Sequence, residues 1–168
     1  MRVAAAALLG LLLGACASSP KQPPPPSPAE TELRQRILEE TLAQLGRPYR
    51  YGGGDHEGFD CSGLVLHVYR DAGLELPRTA ARQRRHGQSI SPEAARPADL
   101  FFYRIAGSDH VVVYIGEGRG VHAPRPGRTV TIAEIEGQWW RDRLVGVRRF
   151  ITSDAAQSAR MRRAASDS

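Results

Sequence analysis

The chain changes its hydrophobic period partway along. From residue 27 to about residue 86 apolar side chains recur at helical spacing, and from residue 100 onward they fall into short β-type runs. Ser27-Pro28-Ala29-Glu30 reads as a helix start, with a serine cap, proline in the first helical position and glutamate three residues after the cap. Leu33, Ile37, Leu38, Leu42 and Leu45 form one predicted stripe, ended by Gly46 and Pro48. Residues 47–58 are glycine-rich and predict a loop. A second helix begins near Asp60–Ser62, carries Leu64, Val65, Val68 and Tyr69 inward, and stops at Gly73. "PRTAARQRRHG" predicts a short third helix capped by Thr79. Strands follow in "LFFYRI" (100–105), "HVVVYIGEG" (110–118) and "GVHAP" (120–124), with "EGRG" as a hairpin turn. "TVTI" (129–132) and "LVGVRRF" (144–150) predict further strands, with "AEIEGQWWRD" between them. Helices first and strands second predict an α+β domain over residues 29–151, its N-terminal helices packed on a five- to six-stranded antiparallel sheet.

The ends of the chain carry different signals. Arg2, the apolar run Val3–Leu13 and small Gly14-Ala15 have the order of an export leader over residues 1–15, with an apolar run too short to span a bilayer. The run "LGAC" resembles a bacterial lipobox, which implies acylation of Cys16 and a membrane anchor. Ala17 and Ser18 follow, with no Asp; by resemblance to sorted lipoproteins this implies the periplasmic face of an outer membrane. Ordinary secretion, with Cys16 incidental, is the alternative. Residues 16–28 hold six of the twelve prolines and predict an extended tether. Residues 152–168 predict a disordered basic tail.

Charge narrows the partners. The formal net charge is +5, concentrated in "RTAARQRRHG" and in the tail. Export argues against nucleic acid, leaving a solvated basic face or an attraction to anionic envelope polymers and lipid head groups. Nothing in the pattern requires a second copy of the chain, so a monomer is expected.

With Cys16 assigned, Cys61 has no disulfide partner. It stands at a predicted helix start, after glycines that leave room for a substrate. A helix N-terminus lowers a thiol's pKa, and a thiolate nucleophile also needs a base and a group to orient that base. His56, His67 and His86 read as solvated or packed. His110 and His122 differ, because they flank one hairpin. In an ideal hairpin turning near Gly118, His122 falls opposite Tyr114, about 13 Å along the strand from His110 at ~3.3 Å per residue. A tighter turn, a bulge, or a different orienting group must resolve that. The spacing lacks the C-x-x-C or H-E-x-x-H pairs of zinc sites, and "YGGGDHEG" lacks the G-K-[ST] of a phosphate loop, so neither metal nor cofactor is expected. Trp139 and Trp140 read as core or lid residues, with a sugar-lining groove as the alternative.

"PYRYGGGDHEGFDCSGLVLHVYRDAGLELPRTA", "ADLFFY", "DHVVVYIGEGRGVHAP" and "WWRDRLVGVRRF" together resemble the NlpC-type papain-like cysteine peptidases of bacterial cell walls. As a lipidated, single-domain form the chain looks like the Spr-type murein endopeptidases of that family. The resemblance implies a papain-like fold and hydrolysis of an amide bond in peptidoglycan stem peptides. It also implies Cys61 as nucleophile, His110 as base, His122 as orienter and Tyr49 as oxyanion donor, with Asp60 and Ser62 holding the polar end of the substrate or serving only as helix caps. Val112 stands where the family usually has a small residue, and is expected to narrow the cleft. Another thiol amidase or acyltransferase on the same fold, or a non-catalytic wall-binding lipoprotein, fits the same residues.

Overall fold

The computed structural model describes residues 24–166. The leader, Cys16 and the first part of the tether lie outside the described residues.

Helix α1 (Pro28–Ala43) opens with the predicted capping box: the Ser27 hydroxyl accepts from the Glu30 N–H at 3.2 Å, and the Glu30 carboxylate accepts from the Ser27 N–H at 2.7 Å. Leu33 and Ile37 are buried as predicted, but Leu42 and Leu45 are 43% and 39% exposed. The stripe is shorter than its apolar residues suggest because buried polar side chains take core-facing positions. Arg34 reaches the fully buried Asp99 at 3.1 Å and the Pro97 carbonyl at 2.6 Å, while Arg149 binds the other Asp99 oxygen at 2.6 Å. One carboxylate thus ties α1 to the sheet through two guanidinium groups.

The glycine-rich loop contains a two-residue hairpin, β1 (Gly54–Asp55) with β2 (Gly58–Phe59). Then come α2 (Cys61–Asp71), α3 (Ala80–Arg85), β3 (Gln88–Ile90) and a 3₁₀ turn over Pro92–Ala94. Strands β4 (Leu100–Ile105), β5 (Ser108–Gly116), β6 (Arg119–His122) and β7 (Thr131–Glu134) follow, then α4 (Gln138–Arg141), β8 (Leu144–Arg149) and α5 (Ser153–Ser166). The sheet is six-stranded and antiparallel throughout, in the order β3-β8-β4-β5-β6-β7.

Strand alternation gives the sheet two apolar faces. Leu100, Phe102, Val111 and Val113 pack with Leu64, Val65, Val68 and Tyr69 of α2 and with Leu33 and Ile37 of α1. Phe101, Tyr103, Val112, Ile135 and Val147 form a smaller cluster on the opposite face, with Trp140 of α4 packed against it.

The predicted disordered tail is instead α5 over most of its length. Ala156 and Ala159 are buried, and a Cβ on Gly73 would meet the Ala159 side chain at 3.3 Å. Small residues let this helix approach α1 and the end of α2 closely. A helix that buries only alanines leaves almost no hydrophobic period in the sequence, so the pattern did not reveal it. No described helix is long and apolar enough to cross a membrane.

Candidate active site

The nucleophile candidate sits at the first residue of α2. Asp60 caps that helix, its Oδ1 accepting from the Gly63 N–H at 2.7 Å and from the Ser62 hydroxyl at 3.0 Å. Its other oxygen accepts from the Gly52 N–H at 3.0 Å, which folds the glycine loop back over the helix start. The loop comes so close that a Cβ on Gly63 would lie 1.8 Å from the Gly53 carbonyl oxygen.

Arg78 closes this network. It donates to both Asp60 oxygens at 3.0 and 2.7 Å, to Ser62 Oγ at 3.0 Å and to the Gly53 carbonyl at 3.3 Å. Burial pushes the Asp60 carboxyl up, but the bonds from Arg78, Gly63 and Ser62 outweigh it and hold the group below the usual carboxylate range. Asp60 and Ser62 are therefore engaged inside the chain, as caps and anchors of the loop before Cys61. Behind them the Gln83 amide donates to the Ser62 carbonyl at 3.1 Å and the Pro77 carbonyl at 2.9 Å, fixing α3 against the same turn.

Cys61 is half-buried, and its sulfur lies against the backbone N–H of Val111, the residue after His110. Burial pushes the thiol up and the Asp60 charge adds to this, while the Val111, Ser62 and Cys61 N–H groups pull it back. The net direction is upward. Position at a helix N-terminus led to the opposite expectation; desolvation outweighs it in this cleft. Cys61, His110, Tyr49, Asp60, Ser62 and Arg78 line one open cavity of about 660 Å³.

The bulge foreseen as one solution to the hairpin geometry is present. Val113 pairs with Val121, Tyr114 with Gly120 and Gly116 with Arg119, which leaves Ile115 without a partner. Glu117 and Gly118, both at positive φ, make the tight turn. One step beyond the Val113–Val121 pair, His122 falls across from Val112, two residues from His110 and on the same face. Diagonal neighbours of this kind are within reach of long side chains. His110 Nε2 and His122 Nδ1 are 2.8 Å apart, and both rings are buried. Burial, then the neighbouring His122, pushes His110 down to about 3; burial alone takes His122 down to about 4. Both imidazoles are thus neutral at neutral pH. Trp140 packs against His122 from α4, its ring 5.5 Å from that of His122 and 4.7 Å from that of Tyr103.

Tyr49 lies at the cavity wall, held by its N–H to the Arg128 carbonyl at 2.8 Å and by a bridge to Phe59. Burial, then the charges of Cys61 and Asp60, push its hydroxyl up, so it remains a proton donor. Val112 does not narrow the cleft. It lies on the histidines' face of the sheet but not in the cavity wall, fully buried among Phe101, Tyr103 and Val147 and filling space left by Gly120, where a Cβ would lie 2.3 Å from a Val112 methyl.

The remaining histidines stand elsewhere. His67 is 3.2 Å from Glu40, His56 is 3.2 Å from Gln44, and His86 bonds to the Arg82 carbonyl. Trp139 is half-exposed, edge-to-face with Trp140 and under the Arg143 guanidinium at 4.3 Å. Arg78, Gln83 and the contact of Trp140 with His122 were not anticipated. For Arg78 the available signal was a lone arginine directly before the Thr79 cap, which has no meaning until the fold brings it to Asp60.

Comparison with known proteins agrees with this geometry. Residues 46–149 match the model of the NlpC/P60 family. Murein DD-endopeptidase MepH of Escherichia coli is 37% identical over 122 residues, covering 68% of this chain and 45% of that protein. The E. coli protein named murein DD-endopeptidase MepS/murein LD-carboxypeptidase is 36% identical, covering 72% of this chain and 65% of its own. A solved NlpC/P60 family protein from Bacillus cereus superposes with a TM-score of 0.67 at 32% identity, over 71% of this chain and 40% of that one. The chain spans about half or less of the length of the first curated relatives it matches. The matched region includes the Cys61 helix and both histidine strands, and this chain belongs to the NlpC/P60 family.

Proposed function

We propose that this protein is a cysteine-type peptidoglycan endopeptidase that cleaves an amide bond of wall stem peptides through an acyl-enzyme. One observation carries the reading: Cys61 and His110 line one open cavity, and His122 Nδ1 lies 2.8 Å from His110 Nε2. The wall-peptide specificity is supported by the relatives' names, murein DD-endopeptidase among them.

The reaction requires one of the two tautomer arrangements that this hydrogen bond permits. With His110 Nε2–H donating to His122 Nδ1, His110 Nδ1 keeps a lone pair for the thiol proton. Because the resting pair is neutral, proton transfer accompanies attack. The Cys61 proton passes to His110 as Sγ bonds to the scissile carbonyl carbon, and the oxyanion receives the Tyr49 hydroxyl and the Cys61 N–H. The His122 acceptor stabilises the imidazolium that forms. Collapse breaks the C–N bond, and His110 returns its proton to the leaving amine. Water, deprotonated by His110, then hydrolyses the thioester and restores the thiol.

The same proposal places the enzyme on the periplasmic face of the outer membrane, as a monomer anchored through acylated Cys16. That part is supported by the leader and "LGAC" in the sequence. Incorporation of labelled palmitate should be lost in Cys16→Ala. For the activity, purified sacculi digested with the chain should yield a muropeptide profile that Cys61→Ser does not produce. Identical profiles for the two proteins refute the peptidase.

A further inference from the structure

The far face of the sheet holds a second cavity, of about 290 Å³, that none of the chemistry above uses. Phe101, Tyr103, Tyr114 and Ile135 wall it, and Glu136 and Arg141 stand at its rim.

Three features distinguish it from a packing defect. Tyr103 is 1% exposed, yet its hydroxyl has no hydrogen-bond partner among the described residues. The oxygen is not a sealed-off orphan: it keeps a little accessible surface and is open to a partner from outside the chain. Second, the Glu136 carboxylate makes no hydrogen bond or ion pair within the described residues. It lies over the β5–β6 turn, where a Cβ on Gly118 would be 2.3 Å from the carboxyl carbon. The glycine that makes the turn thus also leaves room for a free carboxylate. Third, the Arg141 guanidinium is anchored at the rim by Gln138 Oε1 at 3.1 Å and by the Glu136 carbonyl.

We infer that this cavity binds one N-acetylhexosamine ring of the wall glycan. The volume suits one ring and excludes a folded peptide. The aromatic walls supply flat apolar surface for the C–H face of a sugar. Donors and acceptors of both charge signs at the rim favour a neutral, hydroxyl-rich ligand over a cation or an anion. The inner Tyr103 hydroxyl is placed to donate to the carbonyl of an acetamido group.

The position fits a substrate in which glycan and peptide are joined. Tyr103 is the direct cross-strand partner of His110, and Trp140 touches both Tyr103 and His122. A ring held here lies beside the imidazole pair on the same sheet face. A stem peptide entering the Cys61 cavity would then remain tethered to the strand from which it hangs. This inference rests on the endopeptidase reading only for the origin of the sugar.

The test is a titration of the full chain carrying Cys61→Ser with tri-N-acetylglucosamine, followed by calorimetry and by NMR shifts of the Tyr103 and Ile135 signals. Saturable binding is expected, weakened about fivefold by Tyr103→Phe and similarly by Glu136→Ala, each the loss of one hydrogen bond. With Cys61 restored, Glu136→Ala should slow sacculus digestion while leaving hydrolysis of a glycan-free stem peptide unchanged. Glu136 is on the surface, so its replacement tests the site even if Tyr103→Phe disturbs packing. Absence of saturable binding, or binding indifferent to both substitutions, overturns the inference. Sugar binding by a chain that cleaves no wall peptide removes the endopeptidase reading and leaves this site standing.

Discussion

The two halves of the candidate cleft are held in place by different physics. On the helix side a polar network surrounds Cys61: Asp60 accepts from Gly52, Ser62, Gly63 and Arg78, and Arg78 also binds Ser62 and Gly53. On the strand side one hydrogen bond joins two buried imidazoles, and their position comes from an unpaired residue in β5 and an indole packed against His122. Cys61 is positioned by a polar network and His110 by register and apolar cover. Such networks tolerate small movements by exchanging partners, whereas register is all or none.

That contrast predicts its own largest failure. His122→Leu removes the acceptor for His110 Nε2 and leaves that imidazole without an orienting partner. Peptide hydrolysis should fall roughly 10²–10⁴-fold, the usual worth of a positioned general base and its support. Far-UV dichroism should still report helices and sheet, because Val113 and Val121 keep apolar partners. Retention of wild-type turnover would show that His122 does not orient His110.

The same contrast explains what the sequence disclosed. The cap at Asp60, the glycines before Cys61 and the helix that follows are local, so residue type and spacing reveal them. The β4 and β5 runs were legible because alternation is also local. His122 was legible only as a candidate. An ideal hairpin misplaces it, since nothing in "YIGEGRG" states that Ile115 will be left unpaired. Arg78 lies eighteen residues from Asp60, Trp140 meets His122 only through tertiary packing, and α5 buries alanines that carry little periodic signal.

Breaking the helix side should cost stability more than register. Asp60→Ala removes the α2 cap and leaves the partly buried Arg78 guanidinium without its counter-charge, a loss of about 2–3 kcal/mol in urea denaturation. Asp60→Asn keeps an acceptor for the Gly63 N–H and should lose less. In both variants the histidine pair should remain joined, visible as unchanged imidazole NMR signals. Displacement of those signals would mean that the two sides form one network.

Acid separates the two sides more gently. His110 and His122 are pushed down to about 3 and about 4 in the folded chain, from an ordinary value near 6.5. Between those values the unfolded chain binds protons that the folded chain refuses, so stability is complete above about pH 6.5 and declines as pH falls through the window toward 4 and then 3. Each buried imidazole contributes a slope of at most about 1.4 kcal/mol per pH unit. The Asp60 carboxyl, held below the usual range, adds its own loss only at lower pH, as the pH falls from the ordinary carboxylate value toward its folded one. His122→Gln should therefore remove about half of the slope between pH 6.5 and 4.5, whereas Asp60→Asn should leave that interval unchanged and flatten the curve below it. Denaturant midpoints measured every half unit of pH resolve the two intervals. A His122→Gln curve parallel to the wild type would mean that the imidazoles titrate normally in the folded protein and that burial does not keep them neutral.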